Sequence, residues 1–162
     1  MRKKPSDGKP KGAYERAVGL LARREHSSRE LKLKLAQRGI EASEADATIT
    51  RLKREDYQSD QRFAEVLIRH RVTAGYGPRY IESELRSHGL NPSAFRPTLA
   101  AHDWLAAAKA LVRKRQARGL KSQADRAKAA QFLARRGFPG SVAYAATGIE
   151  AADDDEPEPE DR

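Results

Sequence analysis

The sequence contains four histidines, the residue type best suited to proton transfer near neutral pH and to zinc binding. They are His26, His70, His88 and His102, and their spacings match no metal-binding motif. His70 and His88 fall on predicted apolar helix faces, where a packed histidine is the more common role. The sequence has no cysteine, which excludes a thiolate metal site and a disulfide scaffold. We therefore expect neither a metal site nor a catalytic histidine.

Two other patterns have the residue types of an enzyme site but not the required arrangement. Glu82 and Glu84 are two residues apart in a predicted helix, so their carboxylates diverge and do not form an acid–base pair. The run Gly75-Tyr76-Gly77 resembles part of a phosphate-binding loop, but it lacks the preceding strand and the third glycine. A turn between two helices fits this run better. We expect a protein that is not an enzyme, with no cofactor and no small-molecule substrate, although an active site assembled from distant residues stays open.

Basic side chains are the remaining functional candidates. The chain has a net charge of +9, but residues 150–162 hold eight acids and one base, so residues 1–149 hold 31 bases and 15 acids, a net of +16. This excess favours a polyanionic partner, either a nucleic acid or an acidic protein surface. Ten bases lie outside the predicted apolar helix faces, and we predict that they face a protein partner or DNA: Arg69, Arg71, Arg79, Arg86, Lys109, Arg113, Lys114, Lys128, Arg135 and Arg136.

The central stretch of the chain predicts the helical unit that carries these bases. Apolar residues at three- and four-residue spacing, from Phe63 to His70, predict one face of a helix whose N-cap is Asp60. Pro78 suits the first position of a second helix, and Gly89 suits its C-terminus. An asparagine and a proline directly afterwards begin a third helix. The unit is therefore predicted to contain three helices.

An internal repeat extends this unit to the whole chain. A leucine followed four residues later by glycine and then by an apolar residue occurs at Leu35, Leu85 and Leu133, which are 50 and 48 residues apart. This period indicates a tandem array of three-helix repeats in an all-α fold. The predicted segments are a disordered basic N-terminus (1–12), three repeats (13–58, 59–102 and 103–149) and a disordered acidic tail (150–162).

Longer motifs carry a family resemblance. They are Leu21-Ala-Arg-Arg-Glu-His-Ser-Ser-Arg-Glu-Leu31, Asp60-Gln-Arg-Phe-Ala-Glu65 and Phe132-Leu133-Ala-Arg-Arg-Gly137-Phe138. Between the last two, Arg69, Arg71, Gly75, Gly77, Pro78, Ile81, Glu84, Leu85 and Gly89 stand in a matching order. Over residues 13–147 the chain resembles the RecX family.

The resemblance implies both a shape and a role. It implies an elongated, curved array of helix-turn-helix-like repeats that binds the RecA recombinase and lies in the groove of its filament on single-stranded DNA. Proteins of this kind act in DNA recombination, DNA repair and the SOS response. They limit growth of the filament and inhibit ATP hydrolysis and strand exchange by RecA, without chemistry of their own.

A sequence-indifferent nucleic-acid-binding repeat protein is the alternative, because three-helix units with short turns also build DNA-reading domains. The last predicted helix, however, offers few base-reading side chains, so only weak affinity for single- or double-stranded DNA is expected. No apolar run is long enough to span a membrane and no secretory signal is present, which predicts a soluble cytoplasmic protein. The acidic tail is predicted to compete with DNA or RecA for the basic surface, because tethering raises its effective concentration.

Overall fold

The computed structural model describes residues 12–149, and its regular structure over that range is helical without any strand. The helices are α1 (Ala13–Leu21), α2 (Ser28–Ala36), α3 (Ala42–Arg54), α4 (Asp60–Thr73), α5 (Pro78–Ser87), a 3-10 turn (Pro92–Phe95) that leads into α6 (Arg96–Ala100), α7 (Trp104–Arg115), α8 (Gln123–Arg135) and α9 (Gly140–Thr147). The predicted all-α class is confirmed. The predicted disordered segments, residues 1–12 and 150–162, lie outside the described residues except for Gly12.

The helices belong to two compact units. Within the described range, unit 1 comprises residues 12–70 and 83–98, and unit 2 comprises residues 71–82 and 99–149. Helices α4 and α5 therefore contribute residues to both units. The repeat boundaries at residues 58 and 102 stay a prediction. None of the helices formed by residues 12–149 combines the length and the apolar character needed to cross a lipid bilayer.

The repeated leucine-glycine motif has the same local structure in all three copies. Leu35, Leu85 and Leu133 are each fully buried. The glycine four residues after each leucine has a φ of 76°, 76° and 87° respectively, in the left-handed region that favours glycine. The next residue then donates its N–H to the leucine carbonyl, at 3.1, 3.0 and 3.1 Å. The predicted helix ends at these glycines are confirmed.

Asp60 is at the predicted place but supports the start of a different helix. The hydroxyl of Ser59, not the carboxylate of Asp60, accepts a hydrogen bond from the N–H of the first turn of α4, at 3.2 Å. Asp60 instead supports the start of α2 beside its N-cap Ser27, since its carboxylate accepts the Ser28 N–H at 2.8 Å and the Ser28 hydroxyl at 2.9 Å. The buried Gln58 amide donates to Asp60 at 3.0 Å and to the His26 carbonyl at 3.2 Å. These hydrogen bonds join segments 32 residues apart within unit 1.

The predicted apolar face of α4 is only partly right. Phe63 is buried as expected, but the buried residues that accompany it are Ala64 and Ile68. Val66 is half-buried and His70 is exposed. The buried face is thus rotated around the helix from the predicted one, because residues 63, 64, 67 and 68 together form the contact stripe.

Stability at acidic pH is expected to depend on Asp60. Burial alone would raise the pKa of this carboxyl, but the hydrogen bonds donated by Ser28 and Gln58 outweigh burial and hold the pKa below its ordinary value. A group whose folded-state pKa is depressed stabilises the fold above its unfolded pKa, and this stability is lost as the pH falls through the folded value. We therefore expect the free energy of unfolding to decline below about pH 4.

The variant Asp60→Asn tests this assignment. It is expected to lower the free energy of unfolding at neutral pH by about 1–3 kcal/mol and to flatten the decline at acidic pH. Urea unfolding followed by circular dichroism across a pH series measures both effects. Asp46→Asn is the control, because its exposed carboxylate pairs with Lys32 at the surface. An equal loss of unfolding free energy in Asp60→Asn and Asp46→Asn would contradict the role of Asp60 at the start of α2.

Candidate partner-binding surface

His26 and His88 make structural contacts rather than form a reactive cluster. His88 Nδ1 lies 3.0 Å from Ser27 Oγ, but Ser27 has no exposed surface and its oxygen also accepts the Glu30 N–H at 3.1 Å as the N-cap of α2. The His88 ring packs 4.6 Å from the Phe63 ring. His26 is 3% exposed, and burial lowers its pKa. Among residues 12–149, no three histidine or acidic side chains converge as a metal site would require.

The Gly75-Tyr76-Gly77 run is a turn between helices, as its sequence indicated. Gly75 and Tyr76 donate their N–H groups to carbonyls at the end of α4, at 3.0 and 2.9 Å. The Gly77 N–H donates to the Arg136 carbonyl at 2.7 Å. All three donors are therefore used within unit 2, and none of them points to a phosphate. A phosphate-loop role is excluded by this hydrogen bonding.

The structure gives positions for all ten predicted partner-facing bases. Arg69 and Arg86 belong to unit 1, and the other eight belong to unit 2. Arg71 and Arg136 are half-buried, and the remaining bases are exposed: Arg69, Arg79, Arg86, Lys109, Arg113, Lys114, Lys128 and Arg135. Five of the ten lie on α7 and α8, four lie on α4 and α5, and Arg136 directly follows α8. Their contact with a partner stays a prediction.

Helix periodicity groups these bases into rows. Lys109 and Arg113 are one turn apart on the exposed side of α7, and Lys114 lies on a neighbouring side. Lys128 and Arg135 are two turns apart on the exposed side of α8. Each row presents two charges in the same direction, as a phosphate backbone or an acidic surface requires.

Within residues 12–149, the positive charge is concentrated in the part of the chain that belongs to unit 2. Its described residues include twelve bases and three acids, a net of +9, whereas those of unit 1 include fourteen bases and eleven acids, a net of +3. Unit 1 also neutralises much of its charge internally, as in the pairs Arg24–Glu30, Lys32–Asp46 and Arg62–Glu25. In contrast, the three candidate bases of α7 form no salt bridge with any residue that the structure describes. Unit 2 is therefore the stronger candidate for binding a polyanion.

Arg136 has an additional role that its sequence position did not indicate. Its Nη1 donates to the Ala74 carbonyl at 3.2 Å, and its guanidinium lies 4.7 Å from the centre of the Tyr76 ring. Tyr76 in turn stacks on Tyr80 with ring centroids 4.1 Å apart. Arg136 thus secures the turn after α4 from a position 62 residues away.

Two further residues, Tyr80 and Arg126, lie near the predicted bases but were not predicted from the sequence. Tyr80 is 37% exposed, and exposed aromatic rings beside bases are the usual platform for unpaired nucleobases. Its position next to Arg79 was the available signal. Arg126 was also missed, because its neighbours in the sequence gave no indication that it faces a cleft.

A cleft of about 390 Å³ lies in unit 2 between the end of α7, the following loop and the end of α9. Lys109, Arg113 and Arg126 line it, together with the apolar side chains of Val112 and Leu120. A second cleft of about 330 Å³ lies in unit 1. Its lining combines three arginines with one acid: Arg16, Arg23, Arg38 and Glu15.

Comparison with known proteins follows the same three-part division. Models of the first, second and third three-helix domains of RecX match residues 13–52, 59–95 and 102–147. These matches confirm the prediction of three tandem three-helix domains. The elongated, curved arrangement of these domains stays a prediction.

Relatives of known name are similar along most of their length. Regulatory protein RecX from Xanthomonas axonopodis pv. citri (strain 306) is 46% identical over 142 residues, which cover 86% of this chain and 88% of that protein. Regulatory protein RecX from Stenotrophomonas maltophilia (strain R551-3) is 42% identical over 155 residues, which cover 94% and 93% respectively.

Solved structures show the same fold. A crystal structure of regulatory protein RecX matches with a TM-score of 0.72 at 23% identity, covering 85% of this chain and 70% of that one. The crystal structure of RecX from Lactobacillus salivarius matches with a TM-score of 0.71 at 19% identity, covering 84% and 92%. At these identities the similarity establishes the fold alone.

Proposed function

Because this chain belongs to the RecX family of regulatory proteins, we propose that it binds the RecA recombinase and its filament on single-stranded DNA. In this role it limits filament extension and inhibits both ATP hydrolysis and strand exchange by RecA. The observation that supports the proposal most strongly is the charge of the described residues of unit 2, with twelve bases against three acids. The setting is cytoplasmic DNA recombination and repair.

Electrostatics account for how such a surface engages a filament. A nucleoprotein filament presents a long series of phosphates and acidic side chains, and each base that neutralises one of them releases a counterion. The α7 bases Lys109, Arg113 and Lys114 are exposed and form no salt bridge with any described residue, so no ion pair within residues 12–149 must be broken before they bind. Contacts of this kind position a protein but do not read sequence.

Aromatic contacts supplement this attraction. Tyr80 is partly exposed and stacks on Tyr76, which holds its ring in a fixed orientation. Nucleobases of single-stranded DNA stack on such rings without preference for a particular base. This pair supports engagement of the single-stranded DNA within the filament, alongside RecA itself.

Inhibition by binding alone requires no catalytic group. The proposed mechanism is occupation of filament surface, so that further RecA subunits do not add and bound subunits do not complete their ATPase cycle. The protein is therefore expected to act in proportion to its amount rather than by turnover. The half-buried and buried polar contacts of Ser27, His26 and His88 serve the fold of unit 1.

The ATPase rate of RecA on single-stranded DNA tests the proposal. Adding this protein in increasing amounts is expected to lower the rate to a plateau near saturation of the filament. Adding it before or after the filament has formed separates blocked extension from inhibition of bound subunits. An unchanged rate at a large excess of the protein would contradict the proposal.

A sequence-indifferent nucleic-acid-binding protein is the second candidate, and the same basic excess with the exposed tyrosine favours it. The two candidates differ in their partner. Capture of purified RecA by the immobilised protein in the absence of DNA supports the regulator. Failure to capture RecA, together with a steep linear loss of DNA affinity as salt increases, supports the alternative.

A further inference from the structure

The cleft of unit 2 combines positive charge with an apolar floor. Its three charged residues are Lys109 and Arg113, one turn apart on α7, and Arg126 in the first half of α8. Leu120 and Ala146 supply apolar surface between them. Among the described residues that line this cleft there is no acid. Such a lining suits an acidic peptide that also contains small apolar residues.

The end of α9 lines this cleft. Gly148, which also lines it, has a φ of 68° and ends the helix in the left-handed conformation. Arg126 Nη1 donates to the Gly148 carbonyl at 2.8 Å, and the Ile149 N–H donates to the Tyr144 carbonyl at 3.1 Å. These two hydrogen bonds hold the last two described residues in place. The described chain therefore ends beside the cleft.

We propose that this cleft is the docking site for the acidic segment of the same chain, residues 150–162. The segment begins Glu150-Ala-Ala-Asp-Asp-Asp155, so two small apolar residues are followed by three carboxylates. In this arrangement the alanines contact the apolar floor and the aspartates pair with the three bases. A round cleft of this volume would be roughly 9 Å across, and three extended residues reach about 10 Å, so the segment is long enough.

Tethering favours this occupant over any free acidic peptide. Ion pairs at an exposed rim are individually weak, but a segment attached at the edge of its site has an effective concentration in the millimolar range. The cleft of unit 1 is a poorer match for an acidic segment, because the carboxylate of Glu15 lines it.

Docking of the segment makes the binding surface self-limiting. Lys109 and Arg113 belong both to the cleft and to the bases proposed to meet an external partner. A polyanion must therefore displace the acidic segment before it reaches these two side chains. The inference does not rest on the proposed function, because its test contains neither RecA nor DNA.

Binding of a labelled peptide to full-length variants tests the inference. The probe is a fluorescein-labelled synthetic peptide with the sequence of residues 150–162, measured by fluorescence anisotropy at low salt. A tail-neutral chain replaces all eight acids of residues 150–162: Glu150→Gln, Asp153→Asn, Asp154→Asn, Asp155→Asn, Glu156→Gln, Glu158→Gln, Glu160→Gln and Asp161→Asn. We expect it to bind the peptide about tenfold more tightly than the unaltered chain, whose own segment occupies the cleft.

Two further substitutions in the tail-neutral chain locate the site. The pair Lys109→Gln and Arg113→Gln removes two cleft charges and is expected to abolish the tighter binding. The pair Lys128→Gln and Arg135→Gln removes the same charge from the exposed side of α8 and is expected to preserve it. Both pairs replace exposed side chains, so the fold is retained.

Three results would overturn the inference. The first is equal peptide affinity of the unaltered and tail-neutral chains, which would show that the cleft is not occupied by its own segment. The second is an equal loss of peptide affinity in the two substitution pairs, which would show that the peptide is attracted by overall charge and not by a particular site. The third is a doubled mass of the unaltered chain in sedimentation equilibrium that the tail-neutral chain does not show, which would assign the segment to the cleft of a second copy.

Discussion

Reversal of both charges at Arg113 and Lys114 is expected to raise the concentration needed for half-maximal inhibition of the RecA ATPase by at least about tenfold, which corresponds to about 1.4 kcal/mol of binding free energy. Both side chains are exposed in the last turn of α7, and neither forms a salt bridge within residues 12–149. Substitution by glutamate replaces two attractions to a polyanion with two repulsions. Binding should also lose part of its salt dependence, because fewer counterions are released.

The fold is expected to survive this change. Glutamates at a helix C-terminus interact unfavourably with the helix dipole, at about 0.3–1 kcal/mol each, so the neutral variant Arg113→Gln with Lys114→Gln separates this cost from loss of binding. Its circular dichroism should match that of the unaltered chain. Unfolding of the neutral variant would show that these side chains stabilise unit 2. They would then no longer be candidates for contact with a partner.

A matched control distinguishes an effect of the positions of Arg113 and Lys114 on inhibition from an effect of total charge. Arg23→Glu with Arg54→Glu reverses the same charge on exposed residues near the ends of α1 and α3 in unit 1. We expect this control to inhibit RecA at nearly the concentration of the unaltered chain. Equal losses in the two double variants would show that net charge alone governs binding.

Substitution of Gly77 by alanine is expected to destabilise unit 2 by about 2–4 kcal/mol. A Cβ atom built on Gly77 would lie 2.5 Å from the backbone of Gly137, and a Cβ on Gly137 would lie 2.4 Å from the Tyr80 nitrogen. The obstructing atoms are backbone atoms, which do not rotate away as the end of a side chain does. Relief of the overlap would stretch the hydrogen bonds from Gly77 to Arg136 and from Arg79 to Gly137, now 2.7 and 3.0 Å.

Trp104 reports this loss directly. It is the only tryptophan in the sequence and belongs to unit 2, where its ring lies 6.3 Å from the Phe138 ring next to the Gly137 contact. Urea unfolding followed by its fluorescence should show a lower midpoint for Gly77→Ala.

Gly140→Ala provides the comparison, since Gly140 lies in α9, where a Cβ atom would have no described neighbour within 4 Å and the backbone φ is not positive. Alanine there is expected to be neutral or stabilising by about 0.5–1 kcal/mol. Similar midpoints for Gly77→Ala and Gly140→Ala would contradict the close approach of the two backbone segments.

Local patterns made much of the fold predictable. The end of a helix depends on a few consecutive residues, so Leu85 and Gly89 identify it without reference to the rest of the chain. Pro78 as the first residue of α5 is predictable for the same reason. Contacts between distant segments are different, because the sequence around Asp60 does not show that its carboxylate will meet Ser28.

In the candidate surface, too, features that depend on local sequence were predictable and features that depend on tertiary packing were not. Exposure of Lys109 and Arg113 follows from helix periodicity, since both lie away from the apolar face of α7. The contact of Arg136 with Tyr76 and the position of Arg126 beside Gly148 depend on tertiary packing, so the sequence did not reveal them. Contact of the ten bases with RecA or DNA stays a prediction, because it depends on a partner surface as well as on this chain.

The interleaving of unit 1 and unit 2 along the sequence has a consequence for biosynthesis. Unit 1 takes its final segment from residues 83–98, so the ribosome must release residues 71–82 before that segment emerges. Ser27 therefore remains without the His88 side chain until about sixty further residues have been translated, as their separation of 61 positions requires. Nascent chains arrested before residue 88 are expected to be more sensitive to protease around Ser27 than chains long enough for residue 98 to have left the ribosome.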